Sequence, residues 1–102
     1  MSPEEQLDRY RQVMGLTLKM RELADAEKWD RFMQAEADRR TVLASLEQEK
    51  IGNNEELRGI VQNILDQDRE IVQKVQVWMD ELRSILTQMS TVQRLNKAYL
   101  KR

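Results

Sequence analysis

The apolar residues along the chain predict three helices, and the last helix carries the most regular pattern. From Leu57 onward, apolar side chains recur at alternating spacings of four and three residues, as in a helix that packs along one continuous face. This seam consists of Leu57, Val61, Ile64, Asp68, Ile71, Val75, Trp78, Leu82, Ile85, Met89, Val92, Asn96 and Tyr99. Only Asp68 and Asn96 are polar, so the pattern predicts a long helix over about residues 54–90.

Two shorter helices are predicted before the seam. Ser2 and Glu5 have the spacing of a capping box, with Pro3 at the first helical position, so the first helix should run over about residues 3–24. A second helix, over about 27–50, carries its apolar side chains on one side: Trp29, Phe32, Met33, Leu43 and Leu46. Gly52 then favours a turn. The expected fold is an all-α, antiparallel three-helix bundle with a long third helix.

The predicted helix lengths leave part of the seam without cover. The first two helices span about 33 to 36 Å, whereas a continuous helix over residues 54–101 spans about 70 Å. Because the chain turns near Gly52, the C-terminal half of the third helix should be uncovered. Its side chains, with Trp78 at the edge, are Leu82, Ile85, Leu86, Met89, Val92 and Leu95. A folded-back tail, a second copy of the chain or an amphipathic helix of another protein could cover them.

The C-terminal residues are predicted to form either a helical extension or a short fourth helix over about 91–101. Residues 87–91 are Thr, Gln, Met, Ser and Thr, most of which are weak helix formers, so a hinge near Ser90 is expected. After Glu81 the chain has no acidic residue, which makes this end locally basic. The basic residues are too sparse to predict a nucleic-acid site.

Composition argues against catalysis. The 102 residues include no cysteine and no histidine, which removes thiolate and imidazole metal ligands and the commonest catalytic bases. The net charge of −1 offers no global field for nucleic acid. The acidic start is unlike a signal peptide, and no apolar run is long enough for a membrane span. We therefore expect a cytoplasmic binding protein with no cofactor and no metal site.

Two carboxylates interrupt the apolar faces of the predicted helices. Glu36 and Asp68 lie at about the same level, and a carboxylate pair can perform acid–base chemistry when its environment separates the two pKa values. No nucleophile or phosphate-binding glycine loop accompanies them. With Arg11, Arg39, Arg40 and Arg69 within reach, structural ion pairs are the better interpretation.

Two short motifs in the chain resemble those of the FliT-type flagellar export chaperones. Leu23-Ala24, Trp29-Asp30, Phe32-Met33-Gln34 and Glu36 are similar to that family's L-A-x-x-x-x-W-D-x-apolar-apolar-Q-x-E pattern. Near the C-terminus, Leu95, Asn96, Ala98 and Tyr99 match its L-N-x-A-Y pattern. The order of the motifs, the long helix between them and the chain length agree with the family over nearly the whole sequence.

The resemblance implies a helical bundle that binds the C-terminal region of the flagellar filament-cap protein before export. It also implies contacts with the flagellar export ATPase and, in some members, with the flagellar master transcription regulator. The expected client-binding residues are Trp78, Leu82, Ile85, Leu86, Met89 and Val92. The segment with Leu95, Asn96, Ala98 and Tyr99 is implied to be a regulatory tail that covers this surface.

The main alternative is a structural coiled-coil module that self-associates, for instance as a homodimer, through the third helix and has no client. A chaperone should co-purify with one other protein in stoichiometric amount, whereas a structural module should co-purify only with itself.

Overall fold

The computed structural model describes residues 1–100, with side chains through residue 99. It contains three helices, α1 (Pro3–Asp25), α2 (Trp29–Ala44) and α3 (Glu55–Leu100), and the described residues form no strand. The all-helical prediction is therefore confirmed. The chain divides into two compact units, a first unit from Met1 to Val72 and a second unit that begins at Gln73.

Within the first unit, α1, α2 and the N-terminal part of α3 form a bundle. Arg9 of α1 contacts Ser45 at the end of α2, and Thr17 of α1 contacts Arg39, so α1 and α2 run in opposite directions. Arg11 contacts Glu56 and Arg21 contacts Glu70, so α1 and α3 run in the same direction. The helices thus alternate in direction along the chain, as short connections require.

The two ends of α1 are capped in different ways, the first by a sequence signal and the second by backbone hydrogen bonds. The Ser2 hydroxyl accepts a hydrogen bond from the Glu5 amide at 3.1 Å, as the capping box predicts. At the other end, the Glu27 amide donates to the Ala24 carbonyl and the Lys28 amide donates to the Leu23 carbonyl. Glu27 adopts a φ of +56°, the left-handed conformation that such a helix end requires and that glycine normally supplies.

The centre of the first unit is a cluster of apolar side chains from all parts of the bundle. Val13 of α1, Leu46 after α2 and Ile64 of α3 are 1%, 4% and 8% exposed. Tyr10, Met14, Val42 and Ile60 pack against them. The seam positions Leu57, Ile64 and Ile71 are all buried, so in this unit the predicted face of α3 is the core face.

A polar contact connects all three helices beside this core. Arg39 of α2 donates to Oδ1 of Asp68 on α3 at 2.6 Å and to the Thr17 hydroxyl on α1 at 3.1 Å. Thr17 is fully buried, and its hydroxyl also donates to the Val13 carbonyl at 2.7 Å. A buried polar group costs stability unless it is paired, and here each member has a partner.

The loop between α2 and α3 is attached to α1 by one buried side chain. The Gln6 amide nitrogen donates to the Lys50 carbonyl at 2.7 Å, and its oxygen accepts from the Gly52 amide at 3.2 Å. A Cβ atom at Gly52 would lie 3.2 Å from that oxygen, closer than a side chain normally packs. Glycine therefore lets the loop backbone approach Gln6.

The second helix is shorter than the sequence predicts, ending at Ala44 rather than near residue 50. The Ser45 hydroxyl donates to the Val42 carbonyl, and the Leu46 amide bonds to the Leu43 carbonyl in a tighter turn. This turn places Leu46 in the core. Met33 and Leu43, predicted to share its apolar side, are 59% and 38% exposed.

Within the second unit the chain is helical through Leu100, and the hinge predicted at residues 87–91 is wrong. The Thr91 hydroxyl donates to the Thr87 carbonyl at 3.1 Å, the usual intrahelical bond of a threonine. The C-terminal residues thus extend α3 rather than form a fourth helix. No helix among the described residues is long and apolar enough to cross a membrane.

Candidate functional site

The candidate site is an apolar strip along the helix of the second unit. We define it by the six predicted client-binding residues, Trp78, Leu82, Ile85, Leu86, Met89 and Val92. Trp78 and Leu82 are half-buried. Ile85, Leu86, Met89 and Val92 are 51%, 61%, 54% and 54% exposed. Large apolar side chains exposed at consecutive helical turns form a continuous surface that binds other apolar groups favourably.

The alignment of the strip residues on one side arises from helical periodicity. Ile85, Met89 and Val92 follow one another at spacings of four and three residues, which brings them to one side of the helix. Gln88 and Gln93 line the same shallow depression as these three side chains. The strip therefore has an apolar centre with amide groups at its margins, as an interface with a dry centre and a polar rim requires.

The motif residues at the C-terminus extend the strip. Leu95 and Tyr99 lie three and seven residues beyond Val92, so in a helix they follow it on neighbouring turns. Leu95 is 53% exposed and Tyr99 is 70% exposed, and Asn96 and Ala98 are exposed as well. In this structure the predicted regulatory tail does not fold back over the strip.

Beyond Glu81, the charges near the strip are all positive. Arg83 lies 3.7 Å from Asp80, a weak and exposed ion pair. Arg94 and Lys97 are exposed and form no ion pair within the part of the chain that the structure describes. The last acidic residue, Glu81, precedes every member of the strip except Trp78.

The two carboxylates considered for acid–base chemistry both pair with arginines. Glu36 pairs with Arg40 one turn later at 2.5 Å, and this hydrogen bond raises the pKa of the Arg40 guanidinium. Asp68 pairs with Arg39. The described residues contain no group of three or more acidic residues that could hold a metal ion. Their arrangement supports ion pairing within the fold.

The sequence interpretation missed the two glutamines that border the strip. Gln88 and Gln93 lie outside the apolar seam, so a search for apolar periodicity passes over them. Their position in the sequence could have identified them as margins of the strip, because each is next to a seam residue. Gln88 precedes Met89, and Gln93 follows Val92.

The chain is similar to known flagellar proteins over most of its length. The family profile described as "Flagellar protein FliT" matches residues 7–101. A curated relative, the flagellar protein FliT of Photorhabdus laumondii, is 29% identical over 99 residues, which cover 91% of this chain and 79% of the relative. No solved structure matches this chain. Since the family profile spans nearly the whole sequence, the chain belongs to the FliT family of flagellar proteins.

Proposed function

We propose that this protein is a cytoplasmic export chaperone of the flagellar type III pathway. It binds the C-terminal helical region of the filament-cap protein, prevents that protein's premature assembly or aggregation, and delivers it to the export apparatus. Membership in the FliT family supports the flagellar role. The exposed apolar strip of the second unit is the single observation that carries the binding mode.

The strip suits a helical client for geometric reasons. Trp78 to Val92 span about 21 Å along the helix, about four turns, and Tyr99 extends this to about 32 Å. An amphipathic client helix would present apolar residues every three or four positions against this surface. Covering the strip would also mask the client's own apolar face, which is what prevents aggregation.

Two further partners follow from the family resemblance. We propose that the client complex contacts the flagellar export ATPase, and that a contact with the flagellar master transcription regulator is a property of some members. A chain that releases its client unchanged needs no catalytic group and no cofactor. The absence of cysteine and histidine is compatible with such a role.

Calorimetric titration with the client's C-terminal region tests the proposed site. Leu82→Ala and Ile85→Ala should each weaken binding about tenfold, because a few buried apolar groups carry most of an interface's energy. Val72→Ala is the matched control, since Val72 is 64% exposed but belongs to the first unit. Thermal melting of each variant checks that the fold is intact. Unchanged affinity in both strip variants would place the client elsewhere.

Self-association through the same strip is the second candidate function, because alternating four- and three-residue spacing also suits a coiled coil. Sedimentation velocity with and without the client distinguishes a self-associating structural module from a chaperone. A structural module should stay oligomeric and ignore the client, and Ile85→Ala should dissociate it. A chaperone should form a stoichiometric complex with the client.

A further inference from the structure

We infer that the client segment lying on the apolar strip is an amphipathic helix flanked by acidic residues. This inference rests on the proposed function and specifies the chemistry of the partner. Residues 82–102 include five basic residues and no acidic one, whereas all 18 acidic residues lie at position 81 or earlier. The near-zero net charge of the whole chain is therefore the sum of an acidic part up to Glu81 and a positive sequence segment that follows it.

The positive charges lie on one side of the helix. At about 100° per residue, Arg83, Arg94 and Lys97 fall within a sector about 60° wide. The centre of this sector is about 150° from the side that carries Ile85, Met89 and Val92. A helix bound to the strip would consequently not form close ion pairs with these groups.

The charges therefore act on the partner through their field. The basic groups lie about one helix diameter, 10 to 12 Å, from a helix bound to the strip. The Debye length is about 8 Å at physiological ionic strength, so the attraction between these groups and acidic residues of the partner is partly screened there and grows at low salt. Such distant charges raise the rate of association and its salt dependence, while contacts at the strip set the rate of dissociation.

The arrangement also discriminates between partners. No carboxylate follows Glu81, so an acidic helix meets carboxylates only at the first turn of the strip, where Asp80 is paired with Arg83, and a lysine-flanked helix meets no compensating negative charge beyond that turn. Gln88 and Gln93 at the margins of the strip are neutral and can hydrogen-bond to a carboxylate or an amide alike. The basic side of the helix is therefore the part that favours acidic partner helices over basic ones.

The test uses three synthetic peptides with one shared apolar helical face and with glutamate, glutamine or lysine at the flanking positions. Stopped-flow kinetics with the full chain measures association and dissociation at about 50 mM and about 500 mM salt. At low salt the glutamate peptide should associate about tenfold faster than the glutamine peptide, and the lysine peptide should associate more slowly still. High salt should remove most of these differences.

A charge-neutralised variant, Arg83→Gln combined with Arg94→Gln and Lys97→Gln, is the matched control. It should lose most of the rate advantage of the glutamate peptide, with dissociation rates changed less than about twofold. Ile85→Ala should do the reverse and accelerate dissociation. Equal association of all three peptides would overturn the inference. So would tight binding to vesicles of phosphatidylserine and phosphatidylcholine with no preference among the peptides, which would assign the surface to a membrane.

The filament-cap client itself separates this inference from the proposed function. If the client binds the strip with a salt-independent association rate, the proposed function stands and the acidic partner is wrong. If the client does not bind while the glutamate peptide is still preferred, the charge selection stands and the proposed client is wrong.

Discussion

Asp68 occupies a position of the apolar seam of α3, and its carboxylate accepts a hydrogen bond from Arg39 of α2 at 2.6 Å. The Arg39 side chain is 16% exposed and that of Asp68 is 33% exposed, so water screens the pair only in part. An ion pair at a seam position specifies the alignment of two helices, because shifting either helix by one turn would leave a charge unpaired beside the core.

Removal of one partner from this pair should cost more stability than removal of both. Asp68→Ala leaves Arg39 without its carboxylate and should lower the free energy of unfolding by about 2 kcal/mol. Replacing the pair together, with Arg39→Met and Asp68→Leu, should cost less than Asp68→Ala alone. Urea denaturation of Arg39→Met, Asp68→Leu and the double variant measures the coupling energy of the pair. Additive losses would show that the pair contributes no specific interaction.

The seam of α3 should differ in stability between its two ends. Ile64 is 8% exposed and lies in the core cluster, so Ile64→Ala should destabilise the fold by about 2 to 4 kcal/mol through lost burial and the cavity left behind. Ile85 is 51% exposed, and Ile85→Ala should cost less than about 0.5 kcal/mol. Chemical denaturation compares the two. Equal losses would mean that the strip is as well covered as the core.

Glu27 offers a stabilising substitution. Its φ of +56° is strained for a residue with a Cβ atom, so Glu27→Gly should raise the free energy of unfolding by about 1 kcal/mol. Glu27→Ala keeps the Cβ atom and serves as the control, with little change expected. A loss of stability in the glycine variant would indicate that the Glu27 side chain makes a stabilising contribution larger than the backbone strain.

Deletion of residues 91–102 should weaken client binding. The deletion removes Val92 of the strip together with Leu95 and Tyr99, which are exposed and extend it, so it shortens the surface available to a client helix. Calorimetry with the client's C-terminal region should show a loss of about fivefold or more, and Tyr99→Ala should show part of it. Tighter binding after the deletion would instead show that these residues compete with the client, as the family resemblance implies.

Much of the local structure follows from short-range sequence signals. Ser2 and Pro3 determine where α1 begins, because the cap and the missing proline amide act within one turn. The four- and three-residue spacing of the seam predicts both the long α3 and the side it buries, since only a helix brings residues at that spacing to one face. The same spacing, together with the difference in predicted helix lengths, predicted the exposed strip, from which the candidate binding residues come.

Other features depended on contacts between residues far apart in the sequence. Four arginines were within plausible reach of Glu36 and Asp68, and only the packing of α2 against α3 selected Arg39 for Asp68. The helix α2 ends at Ala44 because the turn that follows packs Leu46 into the core beside Val13 and Ile64. The free energy gained by burying Leu46 outweighs the local helix propensity that favours continuing α2. Burial of Gln6 likewise required the loop at Lys50 and Gly52, more than 40 residues away.

The C-terminal residues show the limit of local propensity most clearly. Threonine and serine near position 90 predicted a hinge, yet the helix continues through them, because their modest individual penalties are small once a long helix is already formed. The sequence by itself determined the three helices, the seam and the exposed strip, since these depend on periodicity, local caps and the relative lengths of the helices. Only the tertiary structure decided the Arg39–Asp68 pairing, the early end of α2 and the burial of Gln6, since each depends on which distant side chain packs beside it.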